Sequence, residues 1–104
     1  MALDQNTGGE ITLAEAQEYV NAFRAKYPQE VKAFFIGAVN ITKILNQENC
    51  IGIRIYNGYN DKENRMNQIM VGVDKDEKDM TKGVIMNRMV SCPYNCDNQS
   101  PLMT

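Results

Sequence analysis

Apolar residues recur at helical spacing over the first part of the chain. Leu13, Ala16, Val20, Phe23 and Tyr27 fall on one stripe, while Gln17, Asn21 and Arg24 are expected to face water. Thr12 followed by Glu15 forms a capping box that predicts a helix start at Leu13, and Pro28 disfavours helix at Tyr27. Glu15 and Glu18 near the start, with Arg24 and Lys26 near the end, complement the helix dipole. Val31 to Ile36 is short and apolar, consistent with an extended piece or a helical turn, and Gly37 interrupts it. Ala38, Ile41, Ile44 and Leu45 define a second helical face, closed where Asn49 can take a left-handed cap.

After Cys50 the period changes to two. Ile51, Ile53 and Ile55 alternate with Gly52, Arg54 and Tyr56, and Ile69, Val71 and Val73 alternate with Met70, Gly72 and Asp74. Two half-buried strands are therefore expected, joined as a hairpin through the polar stretch from Asn57 to Asn67. A register that keeps both aliphatic triplets on one helix-covered face places Gly52 and Gly72 together on the other face, where a bulky group can approach closely. Asp74 to Asp79 reads as a solvated charged turn. It lacks the glycine at the sixth position and the glutamate at the twelfth that a calcium loop needs. Val84 to Val90 fits a third strand or a short helix, since Val84, Met86, Arg88 and Val90 alternate while Ile85 and Met89 fit helical spacing, and the strand is favoured.

The expected fold is α+β, with two N-terminal helices packed on a small antiparallel sheet (the hairpin plus the third strand) and a coil-like C-terminal tail. Residues 1–10, polar and containing Gly8-Gly9, are expected as a flexible leader. Residues 11–104 are expected as a single domain that includes a cysteine-bearing tail, 91–104.

Composition narrows the function classes. A chain of 104 residues sustains one hydrophobic core, and a net charge of -2 gives no electrostatic reason to expect nucleic acid or an anionic membrane as partner. The first ten residues carry Asp4 and Glu10 instead of a basic, apolar signal, and no apolar run approaches spanning length, so the expected location is cytoplasmic. There is no histidine, which excludes histidine-based triads and histidine-ligated metals within one chain. Ser91 and Ser100 lie outside any Gly-x-Ser-x-Gly turn. The expectation is a protein without catalytic residues.

The chemistry-bearing segment is the tail, Cys92-Pro93-Tyr94-Asn95-Cys96. Two thiols at this spacing can cycle between dithiol and disulfide, although Asp97, Asn98 and Pro101 leave little room for the following helix that acidifies a thioredoxin-type cysteine. Cys92, Cys96 and Cys50, with Asp97, supply four donors for zinc if Cys50 lies beside the tail. Met86, Met89, Cys92 and Cys96 form a softer set suited to copper(I). No resident cofactor is expected, with zinc or copper as the alternative. A second candidate is an interaction face made by Gly52, Arg54, Tyr56, Tyr59 and Gly72, in which an arginine beside aromatic rings can anchor a partner.

The strand Ile51-Gly52-Ile53-Arg54-Ile55-Tyr56-Asn57-Gly58, the segment Val71-Gly72-Val73-Asp74 and the Cys-Pro-x-x-Cys tail together resemble a family of small uncharacterised bacterial proteins, over most residues after Leu13. Asn57 and Asn95 stand where tyrosine is expected in many such relatives. The resemblance implies that strand and tail act as one module, and it carries no established activity. The function expected from the residues is a small non-enzymatic protein-interaction module that binds a protein partner or forms a homo-oligomer. The alternative is a thiol redox or soft-metal-binding protein using Cys92 and Cys96.

Overall fold

The computed structural model describes residues 2–103. The order of elements is α1 (Leu13–Lys26), β1 (Ala33–Phe35), α2 (Ala38–Leu45), β2 (Cys50–Asn60), β3 (Arg65–Asp74), β4 (Ile85–Met86) and β5 (Val90–Cys92). The fold is α+β, with two helices and two small antiparallel sheets, β2-β3-β4 and β1-β5. The segment at Val31 to Ile36 is thus extended. The expected third strand divides at Asn87–Met89, so that β4 continues the hairpin while β5 crosses to β1.

Local chemistry sets the boundaries. The Thr12 hydroxyl accepts from the Glu15 backbone N–H at 3.1 Å and starts α1 at Leu13. Glu15 does not complete the capping box, because its carboxylate accepts from the Tyr19 hydroxyl at 3.0 Å. The helix ends at Lys26, and Tyr27 leaves helical geometry before Pro28. Asn49 takes φ +66° in the turn that feeds β2, as its side chain permits. The hairpin strands run further than the polar sequence from Asn57 to Asn67 indicates, leaving only residues 61–64 as the turn. There the Asn60 side-chain oxygen accepts from the backbone of Lys62 and Glu63, and Asn64 takes φ +53°. Polarity along a strand reports solvent on that strand, and the turn is set by these Asn positions. The expected leader contains a turn in which the Thr7 hydroxyl accepts from the Asp4 N–H and the Asp4 carbonyl accepts from the Thr7 N–H.

The hairpin register departs from the sequence expectation. Ile53 lies opposite Gly72, Ile55 opposite Met70, Arg54 opposite Val71 and Gly52 opposite Val73, with a bulge between Cys50 and Gly52. Directly opposed residues share a face. The two aliphatic triplets therefore lie on opposite faces of the sheet, and so do Gly52 and Gly72. Burial of both faces of β3 is what makes this register favourable: Val71, Gly72 and Val73 are all buried. A strand covered on both sides has no need to segregate its apolar residues.

On the Gly72 face, α2 packs against β2 and β3, and its Ile44 is fully buried. Gln47, just beyond α2, fastens this layer. Its Nε2 donates to the Ile44 carbonyl at 2.9 Å and its Oε1 accepts from the Val84 N–H at 2.8 Å, tying the end of the helix to the entry of β4. A side chain at Gly72 would stand 2.9 Å from Gln47 Nε2 and 3.1 Å from Cys50 Sγ, and one at Gly83 would collide with Gln47 Oε1. The close approach anticipated at Gly72 comes from this chain itself, whereas nothing approaches within 4 Å of the corresponding position at Gly52.

The first helix is differently placed. None of its residues is buried, and its stripe keeps Leu13 55%, Phe23 36% and Tyr27 47% exposed. It is held to the tail by Gln17 Nε2 donating to the Pro101 carbonyl at 3.3 Å and Arg24 Nη1 donating to the Leu102 carbonyl at 3.0 Å. The buried apolar residues are Val31, Ile44, Val71, Val73 and Cys92. The radius of gyration of 15.4 Å exceeds the roughly 13 Å of a compact chain of this length.

Two substitutions read the α2 layer. Ile44→Ala is expected to cost about 2–5 kcal/mol in urea unfolding, because the cavity is enclosed on all sides. Gly72→Val is expected to cost about 1–3 kcal/mol by overpacking against Gln47 and Cys50, with a lowered midpoint in the same experiment.

Candidate functional site

A groove of about 610 Å³ opens between α1, the β1-β5 ribbon and the tail. Val20 and Phe23 come from α1, Phe34 from β1, Met66 from β3, and Cys92 and Met103 from the tail side. Polar groups sit among them, including Asn57, Gln68 and Asp97. The sequence builds this wall because Val20 and Phe23 are three apart on a helix and so point the same way. Phe23 also lies against Tyr27, with ring centroids 5.3 Å apart.

The cysteines on the tail are brought together. Cys92 and Cys96 are at disulfide distance, with their Cα atoms 5.0 Å apart. Cys92 is 3% exposed, and Cys96 is partly exposed. The loop between them is anchored by Arg65 Nη2 donating to the Pro93 carbonyl at 2.6 Å and by the Lys32 N–H donating to the Cys92 carbonyl at 2.7 Å. The sulfur beside Cys92 is that of Met103, at 3.8 Å.

Cys50 is not part of this cluster. It stands at the start of β2 beside Gly72, and its thiol donates to the Gly52 carbonyl at 3.2 Å. Among the described residues no three Cys, Asp or Glu side chains form a group suited to a metal ion, so Cys50, Cys92, Cys96 and Asp97 do not make the four-donor zinc set. Of the methionines in the copper set, Met86 lies in β4 opposite Met70 and Met89 borders a different, polar groove.

The expected interaction face is divided by the register. Gly52, Arg54 and Tyr56 share the face of Val71 and Val73, while Tyr59, opposite Met66, and Gly72 belong to the other. On the first face Arg54 and Tyr56 converge on a residue not foreseen as functional, Asp79. Arg54 Nη1 lies 2.5 Å from one Asp79 oxygen, and the Tyr56 hydroxyl donates to the other. Asp79 is bridged to Val73 on the side of β3 away from β2. The two side chains therefore cross over β3 to reach it and cover Val71 and Val73. Alternation of Arg54 and Tyr56 marks a polar face in the sequence, but it does not single out which acid they meet.

The cluster shifts all three groups. The hydrogen bond from Tyr56, followed by the bond and charge of Arg54, holds the Asp79 carboxyl below the usual carboxylate range. The same carboxylate raises the Tyr56 hydroxyl above an ordinary tyrosine, through its hydrogen bond first and its charge after burial, and it raises Arg54.

No family model matches the chain, and neither a curated protein nor a solved structure matches it. No helix among the described residues is long and apolar enough to cross a membrane.

Linkage gives the cluster a pH signature. Because the Asp79 pKa is depressed in the fold, its contribution is present above an unfolded aspartate's pKa of about 3.9 and is lost as pH falls through the folded value. Because the Tyr56 pKa is raised, its contribution is present below about 10 and is lost as pH rises through the folded value. Asp79→Asn is expected to lower Tm at neutral pH, weaken the acid-side dependence, and move one tyrosine ionisation to lower pH in a phenolate absorbance titration.

Proposed function

We propose that this protein is a small non-enzymatic interaction module that takes an apolar segment of a protein partner into the groove between α1 and the Cys92–Cys96 tail. The observation that carries the reading is that Val20 and Phe23, unburied apolar residues of α1, line that groove beside Tyr19. An accessible surface of 8028 Å² is about 2,100 Å² more than the roughly 5,900 Å² of a typical monomer of 11.8 kDa. That excess is larger than the roughly 800 Å² that each partner of a typical specific interface removes from water. Aromatic and methionine side chains around the groove supply adaptable contact area, and the partly polar rim favours a segment that is apolar on one side only. Arg54 and Tyr56 are then structural, since the cluster with Asp79 occupies their polar ends.

The Cys92–Cys96 pair favours a second reading, reversible thiol–disulfide chemistry. Reduction by an external dithiol breaks the S–S bond, adds two electrons and two protons to the pair, and oxidises the reductant to its disulfide. Cys96 is the accessible sulfur for the attacking thiolate. Protein purified without reductant is expected to lack two hydrogens in its intact mass, which return after treatment with a dithiol. Three alkylatable thiols before reduction would remove this reading.

A photo-crosslinking residue placed at Phe23 is expected to yield adducts of defined mass with partner protein in cells. The same probe at Glu18, an exposed position off the apolar stripe, is expected to yield none. Equal labelling at both positions, or none at Phe23, would count against the groove. Phe23→Ala is expected to cost about 1 kcal/mol of stability, mostly its contact with Tyr27, while abolishing partner recovery.

A further inference from the structure

We infer that the exposed edge of β2 is a self-pairing surface, and that a second copy of this chain joins it antiparallel about a two-fold axis at Asn57. In the sheet order β2-β3-β4, the eleven-residue β2 has a neighbour on one side only. Among the described residues, the one further backbone–backbone bond of this strand is from the Cys50 N–H to the Gln47 carbonyl, at its very start. Alternate N–H and C=O groups along 51–60 therefore point outward without a protein partner.

The usual protections of such an edge are missing. Residues 51–60 contain no proline, lysine or acid, and the bulge lies at the far end, between Cys50 and Gly52. The one charge is Arg54, which Asp79 already draws back across β3. The exposed run is residues 55–57 with Tyr59, where Ile55, Tyr56 and Tyr59 are 51%, 46% and 57% exposed. The leader borders the other end of the strand, since Leu3 and Asp4 share a cleft with Ile51, Gly52, Ile53 and Arg54.

These facts choose both the occupant and its register. Residues 54–60 are centred on Asn57, and a two-fold axis there sets Ile55 against Tyr59 of the second copy, so each of the two large exposed side chains on that face covers the other. Arg54 then faces Asn60 of the second copy and never another Arg54, which leaves no like charges opposed. The product is a continuous six-stranded sheet that meets the leader's cleft only at Arg54. A foreign extended peptide is the competing occupant, but it would have to supply this apolar spacing, which a second copy already carries. The pairing rests on the strand edge and not on the proposed groove function, and Asn57 at the axis is the residue the two surfaces share.

The test uses charge exchange at the axis in the full chain. The native protein is expected to show a dimeric mass by sedimentation equilibrium. Asn57→Lys alone and Asn57→Glu alone are each expected to lose the dimer, because like charges meet at the axis. An equimolar mixture of the two variants is expected to recover it as a heterodimer. Amide exchange of the native protein, measured across a concentration series, is expected to show protection rising with concentration at residues 54–60, which keeps the test decisive if either variant folds poorly. A monomer at every concentration, a dimer unaffected by both variants, or protection at 54–60 that appears only with added extended peptide would overturn the inference.

Discussion

The centre of β3 is the constraint on which the rest of the structure depends. Val71, Gly72 and Val73 are covered from both sides, and each cover imposes its own requirement. On the Gly72 side the cover is α2, brought close enough by the absence of a side chain at Gly72 for Gln47 to settle over the strand. On the Val71 side it is a strap of Arg54 and Tyr56 reaching to Asp79. One cover is apolar packing with a half-buried amide, and the other is polar atoms laid over aliphatic stems, an arrangement suited to a face that remains partly wet.

A domain fixed at one strand leaves its periphery loosely committed. The helix α1 and the β1-β5 ribbon are joined to the hairpin chiefly through the tail, by bonds from Gln17, Arg24 and Arg65 to tail carbonyls. The Cys92–Cys96 pair shortens that tail and gives it a shape to which α1 can attach. The groove is the space such a construction leaves when helix and sheet share few apolar contacts. The same economy accounts for the surface in excess of a typical monomer. No histidine is present, and the acidic and thiol groups do not converge in threes among the described residues.

The unpaired edge of β2 belongs to the same logic. Sheets of three strands whose third strand is only two residues long gain much of their order from whatever extends them. The groove and the open edge adjoin at Asn57, which lines the one and lies on the other.

Local pattern determined a great deal by itself. The span of α1 from Leu13 and its Thr12 cap, the existence of α2, the two long strands, the left-handed Asn49 and the nearness of Cys92 to Cys96 all follow from neighbours within a few residues, where backbone preference and side-chain reach act directly. What only the tertiary structure decided was the sharing of faces. Past the bulge at Ile51, an unbroken register runs from Gly52 opposite Val73 to Asn60 opposite Arg65 at the turn, and its parity parts Gly52 from Gly72 and separates Ile53 and Ile55 from the valines. It also brings Arg54 and Tyr56 to Asp79, a choice among thirteen acids that no spacing along the chain could rank. Periodicity tells which residues of one strand point together. Which face meets which neighbour is a property of the assembled layers, because burial on both sides of β3 removes the hydrophobic asymmetry from which a register would otherwise be read.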